Sequence, residues 1–211
     1  MAKLTLKFGA MNAHKSNTLI TTAYNYVENG LKVATMMPDF AARETGMITS
    51  RPGGRWPIDI PVHIHNDDDP YDKEPTTNVR VALHAHMGQN AVHCVLVDEA
   101  QFFVTEQIDQ LEQIAKIDNI SVIAHCLRSN VQRNLFEGSK RLFELADNFE
   151  KMPTMCSCGS QAEYNGRFVN DTFHVGHPIV MIDNDETKVR YESMCAHCYL
   201  GHLNDNGAIT V

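Results

Sequence analysis

KLTLKFGAMNAHKSNTLITTAYNYVENGLKVATMM, residues 3–37, holds two candidate strands with a loop and a candidate helix between them. Residues 3–8 alternate polar and apolar, as a strand covered on one face does. From Lys15 to Glu28, the residues Leu19, Ile20, Ala23 and Val27 share one helical face, and Asn29-Gly30 is a stop signal. Residues 31–37 read as a second strand, closed by Pro38. Strand, loop, helix and strand in that order are the usual source of a parallel sheet. The loop, Gly9-Ala10-Met11-Asn12-Ala13-His14-Lys15-Ser16, keeps the pattern G-x-x-x-x-G-K-[ST] at every fixed position but one, where His14 replaces the second glycine. Such a loop aims backbone N–H groups at phosphate oxygens, with a lysine for charge and a hydroxyl for magnesium. Histidine tolerates unusual φ better than most residues, so the turn can survive the loss of glycine. Taken alone, these eight residues leave a phosphate loop and an ordinary strand-to-helix turn both open.

Working outward, His93–Val97 is a short apolar run ending in Asp98-Glu99, which suits a buried parallel strand that delivers carboxylates at its carboxyl end. Beside a phosphate loop, the first carboxylate holds magnesium through water and the second takes a proton from an attacking hydroxyl. Residues 105–117 read as a helix with Thr105 as N-cap, 120–126 as another buried strand, and 135–149 as a further helix. Residues 79–87 fit a helix or a strand equally. Asp67, Asp68 and Asp69 lie in a Gly-, Pro- and Asp-rich stretch and read as a solvated loop. The expected fold is therefore α/β: a mostly parallel sheet with helices on both faces across residues 1–150.

Residues 151–211 are short, loop-rich and too small to bury much core, so they need a staple. Cys156-Ser157-Cys158 and Cys195-Ala196-His197-Cys198 supply four soft ligands for a tetrahedral structural zinc. His197 competes as a ligand, but the two-residue gap favours Cys198. Cys94 and Cys126 fall on predicted strands and read as small hydrophobes; His84, His86, His93 and His125 read as hydrogen-bonded packing residues. The chain has 211 residues, 43% of them hydrophobic, and a net charge of −8, which argues against a general nucleic-acid backbone binder. It holds no stretch apolar enough to span a membrane and no secretory h-region, so a cytoplasmic location is expected, where six cysteines serve as thiols or metal ligands.

These segments together resemble the type II thymidine kinases, the group that includes bacterial, phage and animal cytosolic enzymes. The resemblance covers nearly the whole chain. It is carried by G-A-M-x-x-x-K-S at 9–16, V-D-E-A-Q-F-F at 97–103, L-F-E-G-S-K-R-L-F-E-L-A-D at 135–147, C-S-C-G at 156–159 and Y-x-x-x-C-x-x-C-Y at 191–199. It implies transfer of the γ-phosphate of ATP to the 5′-hydroxyl of thymidine or a close deoxynucleoside, giving dTMP and ADP. It implies that Gly9 to Ser16 and the Asp98-Glu99-Ala100-Gln101 segment bind the nucleotide, that Ser16 and Asp98 hold magnesium, and that Glu99 is the base. Met11, Phe102, Leu127, Val131, Phe136, Ile182 and Tyr191 match positions around the thymine. The cysteines match a zinc-stapled lasso that grips the base, and members of the family are usually homotetramers.

The chain also departs from the family pattern. His14 replaces a loop glycine, Ala41 stands where an aspartate is usual two residues before Arg43, Val131 where a stacking aromatic is usual, Asp183 at a lasso glycine position, and Cys126 at a common small residue. These departures motivate an alternative: a weak or inactive nucleotide-binding relative with a regulatory role.

Overall fold

The alternation at the N-terminus becomes β1 (Leu4–Gly9), whose Leu4 and Leu6 are fully buried, and the helix after the loop is α1 (Lys15–Glu28). The computed structural model describes residues 1–42, 46–66, 69, 72–88, 91–181 and 187–205. The chain continues through β2 (Val33–Pro38), a 3-10 turn at Asp39–Ala41, the hairpin β3 (Met47–Thr49) and β4 (Arg55–Pro57), and β5 (Ile60–Val62). Then come α2 (Val79–Met87), β6 (Cys94–Val97), a 3-10 turn at Ala100–Phe102, α3 (Thr105–Lys116), β7 (Ser121–Leu127), α4 (Glu137–Leu145) and β8 (Asn148–Lys151). A separate part follows, with β9 (Tyr164–Val169), β10 (Thr172–Phe173), β11 (Val189–Met194) and α5 (Ala196–Asp205).

Six strands form one sheet in the order β5-β2-β6-β7-β1-β8, every neighbouring pair parallel. Side chains alternate across it. Cys94 and Leu96 pack with Leu19, Ile20 and Ala23 of α1 on one face, while Val95 and Val97 pack with Leu83, Ile108, Leu111 and Leu142 of α2, α3 and α4 on the other. Both faces are thus covered, which is why β6 and β7 read as nearly continuous apolar runs. Gly9 lies opposite Leu127, and Val97 opposite Ala124. The loops leaving β1 and β6 therefore flank the end of β7, at the carboxyl edge where α/β sheets bind ligands.

Several expectations need correction. The helix expected over 135–149 spans only Glu137–Leu145, and Phe149 lies in β8. The open edge of β1 captures this segment: Asp147 N–H donates to the Leu4 carbonyl at 2.9 Å, and Asp147 Oδ2 accepts from Leu4 N–H at 2.8 Å. Val104, not Thr105, takes the N-cap position of α3; Thr105 instead donates its N–H and hydroxyl to Glu137 Oε1 at 2.7 and 2.8 Å. Residues 79–87 are helical, with the Asn78 side chain accepting from Val81 N–H at 3.0 Å. His84, His86 and His93 are exposed rather than packed, though His84 Nε2 lies 3.0 Å from Asp118 Oδ2 and His93 Nδ1 accepts the Lys32 N–H at 3.0 Å; of the four histidines singled out only His125 is buried, and burial pushes its imidazole down to about 3. Val27, expected on the buried face of α1, is 50% exposed. Asp67 and Asp68 lie outside the described residues.

The C-terminal part is a three-stranded antiparallel sheet, β10-β9-β11, against which α5 packs. Among the described residues its buried core is Cys156, Ala162, Phe168, Phe173, Met194, Cys195, Tyr199 and Leu203, and two of these eight are cysteines. Among the described residues, no helix is long and apolar enough to cross a membrane.

Candidate active site

The β1–α1 loop starts at a residue that must be glycine: a Cβ on Gly9 would lie 2.6 Å from the Met152 carbonyl oxygen. At the far end His14 adopts φ 56, ψ 25, the left-handed conformation a glycine would supply, and its side chain is exposed. Holding a non-glycine residue there costs about 1–2 kcal/mol. The His14 carbonyl accepts the Thr18 N–H at 2.9 Å, so the turn still launches α1. Lys15 folds back into the loop, buried, with Nζ donating to the Ala10 carbonyl at 2.9 Å. Burial lowers its pKa below the ordinary lysine value, while the charges of Glu99 and Asp98 oppose the shift.

Asp98 follows the last residue of β6 and is buried. Its Oδ1 accepts the Glu99 N–H at 3.0 Å, and its Oδ2 is buried with no hydrogen-bond partner among the described residues. Burial, then the neighbouring Glu99 charge, pushes its pKa up to about 7, against the pull of the Ser16 hydroxyl, the Glu99 N–H and Lys15. A buried carboxylate oxygen without a partner, beside a serine hydroxyl at a helix start, is a donor set that fits magnesium. The raised pKa also has a consequence for stability. Folding takes up a proton at Asp98 between its unfolded value near 4 and its folded value, so stability is fully present below about pH 4 and is lost as pH rises to about 7. Asp98→Asn is therefore expected to raise the melting temperature of the ligand-free protein at pH 8, by the equivalent of about 1–3 kcal/mol. The two melting curves should converge near pH 4, and an equal difference at both pH values would assign the effect to packing instead.

Glu99 takes the left-handed conformation, φ 53, at the turn between β6 and the segment 100–102. Its Oε2 accepts a hydrogen bond from Gln101 Nε2, and Gln101 Oε1 accepts the Leu127 N–H at 2.9 Å. Buried Gln101 thus ties the end of β6 to the end of β7 and fixes the carboxylate. A non-glycine residue in this strained conformation, held by a buried amide, is a common device at reacting sites.

The wall beyond is aromatic. Phe102 meets Phe40 edge-on at 5.2 Å and Phe136 at 5.6 Å between ring centroids. Gly138 lets α4 approach this turn, since a Cβ there would lie 2.6 Å from the Phe103 carbonyl oxygen; Ser139 Oγ donates to the Leu127 carbonyl at 2.6 Å. That is the physical content of the E-G-S segment. Val131 is buried, and its carbonyl accepts the Tyr199 hydroxyl.

Cys156, Cys158, Cys195 and Cys198 bring their sulfurs within 4.8 Å of one another, and all are free thiols. Cys158 Sγ and Cys195 Sγ are 3.6 Å apart, far from a disulfide and close to the roughly 3.8 Å edge of a tetrahedron with 2.3 Å zinc–sulfur bonds. The residues therefore fit zinc, and exposed His197 is not among the cluster. This part reaches the loop directly. Buried Asn165 accepts the Met11 N–H at 2.7 Å and donates to the Ser129 carbonyl at 3.0 Å; Ser193 Oγ donates to the Met11 carbonyl; Thr154 Oγ1 donates to the Asn12 carbonyl at 3.2 Å. Tyr191 exchanges hydrogen bonds with the Met181 backbone, its hydroxyl accepting from N at 3.0 Å and donating to O at 3.1 Å.

The structure thus gathers Met11, Lys15, Ser16, Asp98, Glu99, Gln101 and Leu127 at one sheet edge, with Phe102 and Phe136 beside them. Ile182, Asp183 and Arg43 lie outside the described residues. Sequence reasoning passed over Phe40, Asn165 and Ser193. The last two carry no motif, and Phe40 lies beside Ala41 in a segment that departs from the family pattern.

Comparison with known proteins agrees with this layout. A family profile described as thymidine kinase matches residues 2–199. The thymidine kinase of Enterobacteria phage T4 is 34% identical over 196 residues, spanning 92% of this chain and 94% of its own. That of Pasteurella multocida is 36% identical over 199 residues, with 92% and 95% covered. That of Salmonella paratyphi A is 30% identical over 213 residues, with 100% and 96% covered.

Proposed function

Because the chain belongs to the thymidine kinase family, we propose that it transfers the γ-phosphate of ATP to the 5′-hydroxyl of thymidine or a close deoxynucleoside, giving dTMP and ADP. One observation carries this reading: a single sheet edge combines a lysine-bearing loop with a buried carboxylate and a partly exposed one. In it, the loop N–H groups and Lys15 bind the phosphates and neutralise their charge. Ser16 and Asp98 hold magnesium, which supplies charge stabilisation for phosphoryl transfer. Glu99 takes the 5′-hydroxyl proton; with Oε2 engaged by Gln101, Oε1 is the atom left to receive it. Gln101 is a positioning residue. Met11, Phe102, Leu127, Val131, Phe136 and Tyr191 surround the base.

In the same reading, residues 1–150 bind ATP and residues 151–211 form a zinc-stapled lid. A homotetramer in the reducing cytoplasm suits the family and the six thiols. The alternative of an inactive regulatory relative is not favoured, since His14 keeps the backbone conformation of the glycine it replaces.

A coupled ADP-release assay across the four deoxynucleosides tests the proposal: thymidine should be the preferred acceptor, and absence of turnover with all four would sink it. His14→Gly should leave ATP affinity unchanged or stronger at both pH 6 and pH 8, because the exposed imidazole is not needed inside the loop. Weaker ATP binding in the variant would instead assign His14 a direct contact with phosphate.

A further inference from the structure

Beyond β5 the chain runs His63-Ile64-His65, and one ring nitrogen of each histidine approaches the Asp72 carboxylate. Asp72 approaches the same point, its carboxylate held by two backbone donors: Asn66 N–H to Oδ2 at 2.8 Å and Glu74 N–H to Oδ1 at 3.2 Å. Asp72 Oδ1 lies 3.1 Å from His63 Nε2, and Oδ2 lies 3.5 Å from His65 Nδ1. One donor atom from each of the three residues falls within 4.8 Å of the others. On the far side of the His63 ring, Nδ1 lies 2.8 Å from Asp39 Oδ2.

We propose that His63, His65 and Asp72 form a second metal site, for zinc or a similar divalent transition ion, with Asp39 orienting His63. Two imidazoles and a carboxylate are donors that such ions prefer, and calcium or magnesium would be poorly served by them. Four bonds of 2.0–2.1 Å in a tetrahedron put donor atoms about 3.3 Å apart; the separations of 3.1 and 3.5 Å run to different oxygens of Asp72, and one donor from each residue stays within 4.8 Å of the other two. Asp39 accepts the Nδ1 proton and leaves Nε2 as the ligand, the carboxylate–histidine–metal relay that fixes both tautomer and ring orientation. Asp72 is already aimed by the backbone, so little reorganisation precedes binding. Without metal, His65 Nδ1 donates to the Glu74 carbonyl at 3.0 Å, and the His63 Nε2 contact with Asp72 needs a proton. Binding displaces both protons. A cavity of about 470 Å³, lined by Asp39, Phe40, His63, His65, Asp72 and Phe102, gives an ion access and room for solvent ligands. The site would tie the 39–41 turn to residues 63–65 and Asp72 beside Phe102. It does not rest on the kinase reading, which uses none of its residues.

The test counts metal on the full chain with the cysteine site filled. After equilibration with zinc and removal of the excess, wild type should carry two zinc ions per chain, and His65→Ala and Asp72→Asn one each. The cysteine-bound ion and an unchanged circular dichroism spectrum report that the variants are folded. Cobalt(II) added to protein already holding one zinc should give visible bands without the thiolate-to-cobalt charge transfer, and both variants should lose them. Asp39→Asn should weaken the second ion about 10–100-fold. A single zinc in wild type, a cobalt signal that survives both variants, or affinity indifferent to Asp39→Asn would overturn the site.

Discussion

Glu99→Gln is expected to lower turnover by roughly 10²–10⁴-fold, with little change in the binding of either substrate. The substitution keeps the length and shape of the side chain and the left-handed turn that presents it, but removes the carboxylate proposed to accept the 5′-hydroxyl proton. Gln101 still finds an oxygen acceptor at position 99, so the tie to Leu127 and the mouth of the pocket should persist. A role confined to the chemical step therefore predicts a fall in kcat with KM nearly constant for ATP and thymidine. Single-turnover measurements would separate this from slow product release. An unchanged kcat would move the proton to another acceptor, with Asp98 the remaining carboxylate at the site.

Cys195→Ser should cost both zinc and activity. Cys195 is buried, its sulfur lies 3.6 Å from that of Cys158 and 3.5 Å from the Cys198 N–H it accepts, so one lost thiolate opens the cluster from its centre. A small cysteine-stapled fold draws much of its stability from the ion; zinc contributes apparent values of about 10–16 kcal/mol in isolated zinc-finger peptides. Loss of even part of that is expected to unfold the β9–β11 sheet, whose apolar core is slight. The consequence should extend to the phosphate loop, because Asn165 and Ser193 hold the Met11 backbone and Tyr199 holds Val131. Zinc analysis, limited proteolysis and the KM for ATP should therefore change together. Strong chelation of wild type should reproduce the loss. Full activity in zinc-free protein, with β9–β11 still protected from protease, would show that the thiols alone suffice.

Much of this architecture was legible because its signals are local. β1, α1, β6 and α3 each bury one face or both, and burial imposes a period that a short window of residues reveals. The phosphate-loop pattern survived one substitution because Lys15 and Ser16 keep their distance from Gly9, and the cysteine pairs announce themselves by spacing. Where burial imposes no period, the reading failed. All four residues of β8 are exposed, so nothing in Asn148–Lys151 marks a strand, and the apolar spacing through Phe149 imitated a longer helix. β5 is three residues long, too short to show alternation.

By itself, then, the sequence determined the α/β class, the four central strands, the loop with its lysine and serine, the carboxylate pair and the cysteine set, since each depends on residues close together in the chain. Tertiary structure alone decided which strands cover the sheet edges, that His14 and Glu99 take the left-handed conformation, and that Asp98 is buried with one oxygen unpartnered. It alone brought Asn165 to Met11 across 154 positions and Asp39 and Asp72 to the two sides of one His63 ring. The physical reason is the same in each case: a hydrogen bond between distant residues constrains neither of their neighbourhoods, so it leaves no spacing, period or composition to read.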